Sequence, residues 1–209
     1  MIRILIADDH AVVRHGLRKI IESDAEMKVT GEASNGAELL NLVREDSVDV
    51  VILDISMPGR NGLETLKELK RLYPHLPTII LSIHPEDQYA VRAFRAGAAG
   101  YMTKESAPEE LVEAIKKAHA GGKYISPSVA ELLADHVETN STDEPHTSLS
   151  DREYEVFSLL AKGNTVGHIA VDLNLSVKTI STYRTRILEK MGMTTNADLT
   201  RYALDYNLL

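Results

Sequence analysis

The stretch VVILDISMPG, Val50–Gly59, decides the fold. Its opening run is apolar at successive positions, the pattern of a strand buried on both faces, because a strand with one wet face would alternate. That run ends on a carboxylate, Asp54. ILIADDH, Ile4–His10, repeats the design and ends on Asp8 and Asp9, while TIIL, Thr78–Leu81, leads into Ser82. Strand candidates at Ile2–Ala7, Lys28–Ala33, Asp49–Asp54, Pro77–Ser82 and Ala99–Met102 alternate with amphipathic helical patterns. The helices fall near Ala11–Glu22, Gly36–Arg44, Gly62–Leu72, Asp87–Ala96 and Pro108–His119. Parallel strands need crossovers that bring the chain back over the sheet, so this alternation predicts an α/β fold: a doubly wound, five-stranded parallel sheet.

The periodicity changes after Gly121-Gly122. Pro127–Val137 reads as one short helix, and DHVETNSTDEPHT, which contains Pro145 and no apolar period, reads as a linker. Beyond it only helices are predicted, at Ser150–Ala161, Val166–Leu173, Val177–Met191 and Asn196–Tyr206. The chain of 209 residues therefore divides into residues 1–122, a linker over 123–146, and a small all-α domain over 147–209.

Composition narrows the function. With no cysteine there are no disulfides or thiolate metal sites, so any metal binds through oxygen or imidazole. No apolar run is long enough to span a bilayer, and the first residues lack the pattern of a signal peptide, which points to a cytoplasmic protein with no membrane partner. The net charge of −8 is unevenly spread. Residues 1–146 hold 16 Lys and Arg against 24 Asp and Glu, whereas residues 147–209 hold 7 of each. Within the tail, cations gather between Lys178 and Lys190.

Open parallel sheets bind ligands beyond the carboxyl ends of their strands, where strand order reverses. Asp8, Asp9 and Asp54 all reach that edge. Three carboxylates so close raise one another's pKa unless a cation sits among them, and a hard divalent ion, Mg2+ best of all, is the natural counterion. Ser82 and Lys104, the latter in GYMTK, bring a hydroxyl and an ammonium to the same edge. A carboxylate beside Mg2+ can act as nucleophile on phosphorus, with Lys104 offsetting charge on the phosphoryl oxygens and Ser82 donating a hydrogen bond. Singly, an acidic pair is commonly a solvated loop and a lysine after a strand a surface charge. Their convergence is what carries the reading.

On these residues, segment 1–120 resembles the receiver domain of two-component response regulators. The resemblance implies Asp54 as phosphoacceptor, Ser82 as hydroxyl switch, Tyr101 as aromatic switch and Lys104 as the charge-offsetting lysine. It implies Asp9, Asp54 and the backbone carbonyl of Ser56 as Mg2+ ligands, with Asp8 acting through water, and a sensor histidine kinase as phosphoryl source. Ser56 and His84, two positions beyond key residues, lie where receivers tune phosphoryl lifetime. Glu105 replaces the proline that often follows the lysine with a cis peptide. Since a non-proline cis bond costs about 2.5–4 kcal/mol, a trans linkage or a rearranged loop is expected.

In the tail, Ser150 stands three residues before Glu153, a capping-box pattern that forecasts a helix start. HIAVDL, a turn at Asn174-Leu175 and VKTISTYRTRILEKM follow, two helices joined tightly with hydroxyls and cations on the second. Val177, Ile180, Ile187, Leu188 and Met191 suit its core face. Lys178, Thr179, Ser181, Thr182, Tyr183, Arg184, Thr185 and Arg186 are candidates for contact with DNA phosphates or base edges. LSDREYEV, AKG and IAVDLNLSVKTISTYRTRILEKM together resemble the LuxR-type DNA-binding domain that follows receivers in the NarL/FixJ family. That resemblance implies Val177–Met191 as recognition helix and Asn196–Tyr206 as a pairing helix.

The expected function is a transcription factor: phosphorylation of Asp54 promotes dimerisation and binding to promoter DNA, with RNA polymerase a further candidate partner. The competing classes are a Mg2+-dependent phosphatase with an aspartate nucleophile and a regulator that binds DNA without phosphorylation. Such phosphatases usually carry a general acid two residues past the nucleophile, where this chain has Ser56.

Overall fold

The computed structural model describes residues 1–45, 47–83, 86–138, 144–206 and 208–209; side-chain surroundings are not described for residues 87–88 and 135–138. The chain divides into two compact units, Met1–Leu132 and Leu133–Leu209.

In the first unit, strands β1 (Ile2–Ala7), β2 (Met27–Ala33), β3 (Val50–Asp54), β4 (Thr78–Ser82) and β5 (Gly100–Thr103) alternate with helices α1 (Ala11–Ile21), α2 (Gly36–Glu45), α3 (Gly62–Leu72), α4 (Glu86–Arg95) and α5 (Ala107–His119). The sheet is parallel throughout, in the order β2-β1-β3-β4-β5. Strand order reverses between β1 and β3, so the crevice expected for a ligand opens beyond Ala7 and Asp54. Both faces of the sheet are covered, as the unbroken apolar runs require. Ile4, Ile6, Ile52, Ile79, Leu81 and Met102 pack against Leu17 and Ile21 of α1 and Leu111 and Ile115 of α5. The intervening Leu5, Val51, Leu53, Ile80 and Tyr101 are buried as well. Each buried aliphatic side chain contributes roughly 1.5–3 kcal/mol, so the six-residue face alone makes the strand register costly to slip.

One glycine is dictated by close approach. A Cβ on Gly62 would lie 2.0 Å from the carbonyl oxygen of Asp54, and the Gly62 amide donates to the Ile55 carbonyl at 2.8 Å. The first turn of α3 therefore backs directly onto the end of β3. Asn61 caps it by accepting the Glu64 amide at 2.9 Å.

The short helix expected at Pro127–Val137 is present, and the chain leading into it meets the sheet edge. Tyr124 forms a parallel bridge with Gly100 and donates its amide to the Ala99 carbonyl at 2.7 Å. Helix α6 (Pro127–Glu138) follows, with Val129 fully buried. The unit boundary falls inside this helix, between Leu132 and Leu133, and Tyr124 before it is held at the sheet edge. Residues 139–143 of the linker lie outside the described residues.

The second unit holds a 3-10 turn (Pro145–Ser148) and helices α7 (Asp151–Ala161), α8 (Val166–Asp172), α9 (Val177–Met191) and α10 (Asn196–Asp205). Ser150 and Glu153 form the reciprocal capping box at the start of α7. Thr165 and Ser176 cap α8 and α9, and Asn174 takes the left-handed conformation (φ 50°) in the turn between them. Gly192 (φ 65°) ends α9. α7 packs against α9 and α10, and α8 against α9. Arg152 and Glu155, both nearly fully buried, pair at 2.5 Å, and Arg152 also reaches the Leu173 carbonyl at 3.4 Å, tying α7 to the end of α8.

Candidate functional site

Register carries the site residues into one row. Ala7 pairs with Leu53, Asp54 with Leu81, and Ser82 with Thr103, so Asp8, Asp54, Ser82 and Lys104 follow one another along the carboxyl edge. The Lys104 amide donates to the Ser82 carbonyl at 2.7 Å, which fixes the loop after β5. No cis peptide occurs among the described residues, as the Glu105 substitution predicts. Lys104 reaches the acids with a trans backbone.

Asp8 and Asp54 are each 1% exposed; Asp9 is the exposed member of the cluster. Lys104 Nζ donates to Asp54 Oδ2 at 2.8 Å and pairs with Asp8 Oδ2 at 2.7 Å. The second contact is as short as the first, so one ammonium is shared between the two buried carboxylates. Asp54 Oδ1 accepts the Ser56 amide at 3.2 Å. Burial pushes the Asp54 carboxyl up to about 6; Lys104 and the Ser56 amide pull it down, while Asp8 adds to the rise. For Lys104 burial works against the charge, but Asp54 and Asp8 outweigh it and hold its pKa above the ordinary value.

One ligand atom each from Asp8, Asp9, His10 and Asp54 falls within 4.8 Å of the others. Oxygen donors predominate, from three carboxylates gathered at one edge, so the chemistry of the set fits a hard divalent cation.

Two residues of this corner were not singled out from sequence. The His10 amide donates to Asp8 Oδ1 at 2.7 Å and its Nδ1 lies 2.7 Å from Asp9 Oδ1. Arg14 donates to the Asp8 carbonyl at 2.7 Å and to Glu32 at 3.0 Å, joining the ends of β1 and β2. His10 adjoins the acidic pair in ADDH, which was a usable signal. Arg14 sits one helical turn further on, and only the fold turns it back.

Ser82 is fully buried at the end of β4. Tyr101 is fully buried too, on the sheet face opposite Met102. Ser56 is half-buried in the loop after β3. His84 lies outside the described residues.

In the second unit, Lys178, Ser181, Thr182, Thr185 and Arg186 are exposed on α9, and Thr179, Tyr183 and Arg184 are half-buried. Lys178, Thr179, Thr182, Tyr183 and Arg186 line a shallow hollow of about 330 Å³. Thr182 and Thr185 donate to carbonyls one turn back, at 2.9 and 3.1 Å, which leaves their oxygens to accept. Arg184 is engaged differently, donating through Nε to Asn196 at 2.6 Å and so joining α9 to the start of α10. Ile180, Ile187, Leu188 and Met191 face the core as predicted. Val177 does not: it is 56% exposed, because Ser176 starts the helix immediately before it and places it at the open first position.

The two units match two protein families. Residues 4–116 match the response regulator receiver domain, and residues 147–203 match the bacterial regulatory proteins of the luxR family. The chain is a response regulator of the NarL/FixJ family. This response regulator is 39% identical over 209 residues to the response regulator UvrY of Escherichia coli, covering all of this chain and 96% of that one. It is also 39% identical over 210 residues to the response regulator GacA of Pseudomonas aeruginosa, covering all of this chain and 98% of the relative. Among solved structures it resembles RcsB of Salmonella enterica serovar Typhimurium bound to the rprA promoter in the presence of phosphomimetic BeF3-, with a TM-score of 0.66, 30% identity, and coverage of 96% of this chain and 97% of that one. No helix among the described residues of this regulator is long and apolar enough to cross a membrane.

Proposed function

We propose that this response regulator accepts a phosphoryl group on Asp54 from a sensor histidine kinase and, as a dimer, binds promoter DNA through α9. The observation that carries the reading is the meeting of Asp8, Asp54 and Lys104 at the strand-order reversal of a chain that also carries a LuxR-type domain. An oxygen of Asp54 attacks phosphorus; the new P–O bond forms as the P–N bond of the donor imidazole breaks, and the imidazole leaves with the electron pair. Lys104 stays beside Asp54 and offsets charge on the phosphoryl oxygens, and the Ser82 hydroxyl donates to one of them. Asp9, Asp54 and the Ser56 carbonyl would hold Mg2+, with Asp8 acting through water, and the bound ion would supply charge neutralisation for carboxylates and phosphoryl group alike. Ser82 and Tyr101 move together as the two-state element that senses the new charge.

On DNA, Lys178 and Arg186 contact phosphates or guanine, and the hydroxyls of Thr179, Ser181, Thr182 and Thr185 lie where base edges or phosphates pass. Tyr183 packs beside the backbone, and Arg184 reaches DNA only with the guanidinium nitrogens that Asn196 leaves. One recognition helix reads few base pairs, so two copies on paired half-sites supply the affinity. RcsB on its promoter with a phosphomimetic supports this reading for a chain of the same organisation. The protein works in the cytoplasm, where kinase and promoter are both within reach.

The product of phosphoryl transfer is a modified protein and not a released substrate, since Ser56 cannot serve as general acid for turnover. Incubation with a small acyl phosphate and Mg2+ tests this directly. One phosphoryl group per chain, located on Asp54 and absent from Asp54→Asn, is the expected result. Release of many equivalents of phosphate from simple phosphomonoesters would instead establish a phosphatase.

A further inference from the structure

We propose that Glu86 latches the start of the linker helix α6 to the start of α4, and that this latch carries the state of the phosphoryl site to the linker. The inference rests on the reading of Asp54 and Ser82 given above. Glu86 is the first residue of α4, four positions beyond Ser82. Its carboxylate accepts the Ser126 hydroxyl on both oxygens, at 2.8 and 2.9 Å, and the Ser128 hydroxyl on Oε2. The two hydroxyls lie 3.0 Å apart. Ser126 Oγ in turn accepts the Val129 amide at 3.3 Å, so α6 begins on the same residue that holds Glu86. A carboxylate at the positive end of a 12-residue helix, with two hydroxyls on it, is a directed contact that tolerates little displacement.

The other side of the latch is held in place. Tyr124 is pinned to Ala99 and Gly100 at the sheet edge, and Val129 is fully buried. The start of α6 therefore has little freedom along β5, and Glu86 lies only four positions along the chain from Ser82. A shift of Ser82 toward a phosphoryl group displaces the Glu86 carboxylate against a fixed pair of serines, which strains or breaks these hydrogen bonds. α6 runs on past Leu132 into the chain that enters the second unit, so a change at its first turn is passed along a continuous helix. A helix cap with no part in signalling would add stability equally in both phosphorylation states.

The full chain is compared as wild type, Glu86→Ala and the double variant Ser126→Ala/Ser128→Ala, with beryllium fluoride plus Mg2+ as the phosphoryl mimic and circular dichroism as the check of folding. In the wild type the mimic alters amide exchange over residues 128–132. In both variants that response disappears, and the ratio of DNA affinities with and without the mimic falls by roughly threefold or more, within the range of a helix-cap contact. Combining Glu86→Ala with the serine changes has no further effect, because all act through one contact. An unchanged exchange response and an unchanged affinity ratio in folded variants overturn the latch. If wild-type DNA affinity ignores the mimic while residues 128–132 still respond through Glu86, the DNA-switch reading fails and the latch stands; if neither responds, both fail.

Discussion

Lys104 Nζ donates to Asp54 Oδ2 at 2.8 Å while lying 2.7 Å from Asp8 Oδ2, so one ammonium compensates two buried carboxylates from different strands. Lys104→Met leaves that pair without its cation. Removing one member of a buried ion pair costs about 3–5 kcal/mol, and protonation of a carboxylate limits the loss. The variant is expected to lose thermal stability at pH 8, to recover much of it at pH 5, and to recover part of it at pH 8 with Mg2+. Differential scanning calorimetry at the two pH values, with and without the ion, reads all three.

Asp54 itself is costly when ionised. Its folded pKa, about 6, lies above the ordinary carboxylate value of 3.8, so the folded state binds the proton more tightly than the unfolded state. Its contribution to stability is therefore fully present below pH 3.8 and is lost as pH rises through 6. A shift of this size corresponds to about 3 kcal/mol. Asp54→Asn should accordingly be more stable than the wild type above pH 6, with the gap closing toward pH 4 and narrowing when Mg2+ is added. Urea unfolding across pH checks the sign, and a variant less stable than wild type at pH 8 contradicts it. A residue kept at the expense of stability belongs to function.

Arg14 bonds the backbone of Asp8, and Coulomb's law and geometry predict opposite effects of removing it. Loss of a positive charge near the acids would tighten Mg2+ binding, whereas loss of a tie that orients Asp8 and Asp9 would weaken it. Positioning residues behind metal ligands typically change affinity by about 10-fold, so Arg14→Ala is expected to weaken Mg2+ binding by that order. Titration followed by tyrosine fluorescence decides, and unchanged or tighter binding rules out the positioning role.

The cations of α9 divide into two kinds. Lys178→Ala and Arg186→Ala should each reduce the salt dependence of DNA binding by about one phosphate contact. Arg184→Ala should change that slope less and instead loosen the junction of α9 with α10, since its Nε is bonded to Asn196. Affinities measured across a salt series separate the two behaviours.

The sheet was legible because VVILD, ILIADD and TIILS each combine an unbroken apolar run with a polar stop, and that stop is also what places Asp8, Asp54 and Ser82 on one edge. Capping chemistry made the tail equally readable at Ser150 and Glu153. Sequence says less where order comes from distant partners. The chain after Gly122 looks like a linker, yet Tyr124 adds to β5 and Ser126 meets Glu86, contacts that no local period encodes. Arg14 and Arg184 look like surface cations until the fold supplies the Asp8 carbonyl and Asn196. Val177 fits the apolar period of α9 but falls at its open first position, where nothing covers it.

Whether charge added at Asp54 controls DNA binding by the second unit is read in a single titration. The most direct measurement is fluorescence anisotropy of a promoter duplex titrated with the full chain, as wild type and as Asp54→Ala, with and without an acyl phosphate and Mg2+. The donor is expected to change wild-type affinity severalfold, about 1 kcal/mol or more, and to leave Asp54→Ala unmoved. Equal wild-type affinity in both conditions, with phosphorylation of Asp54 verified by mass, would contradict it.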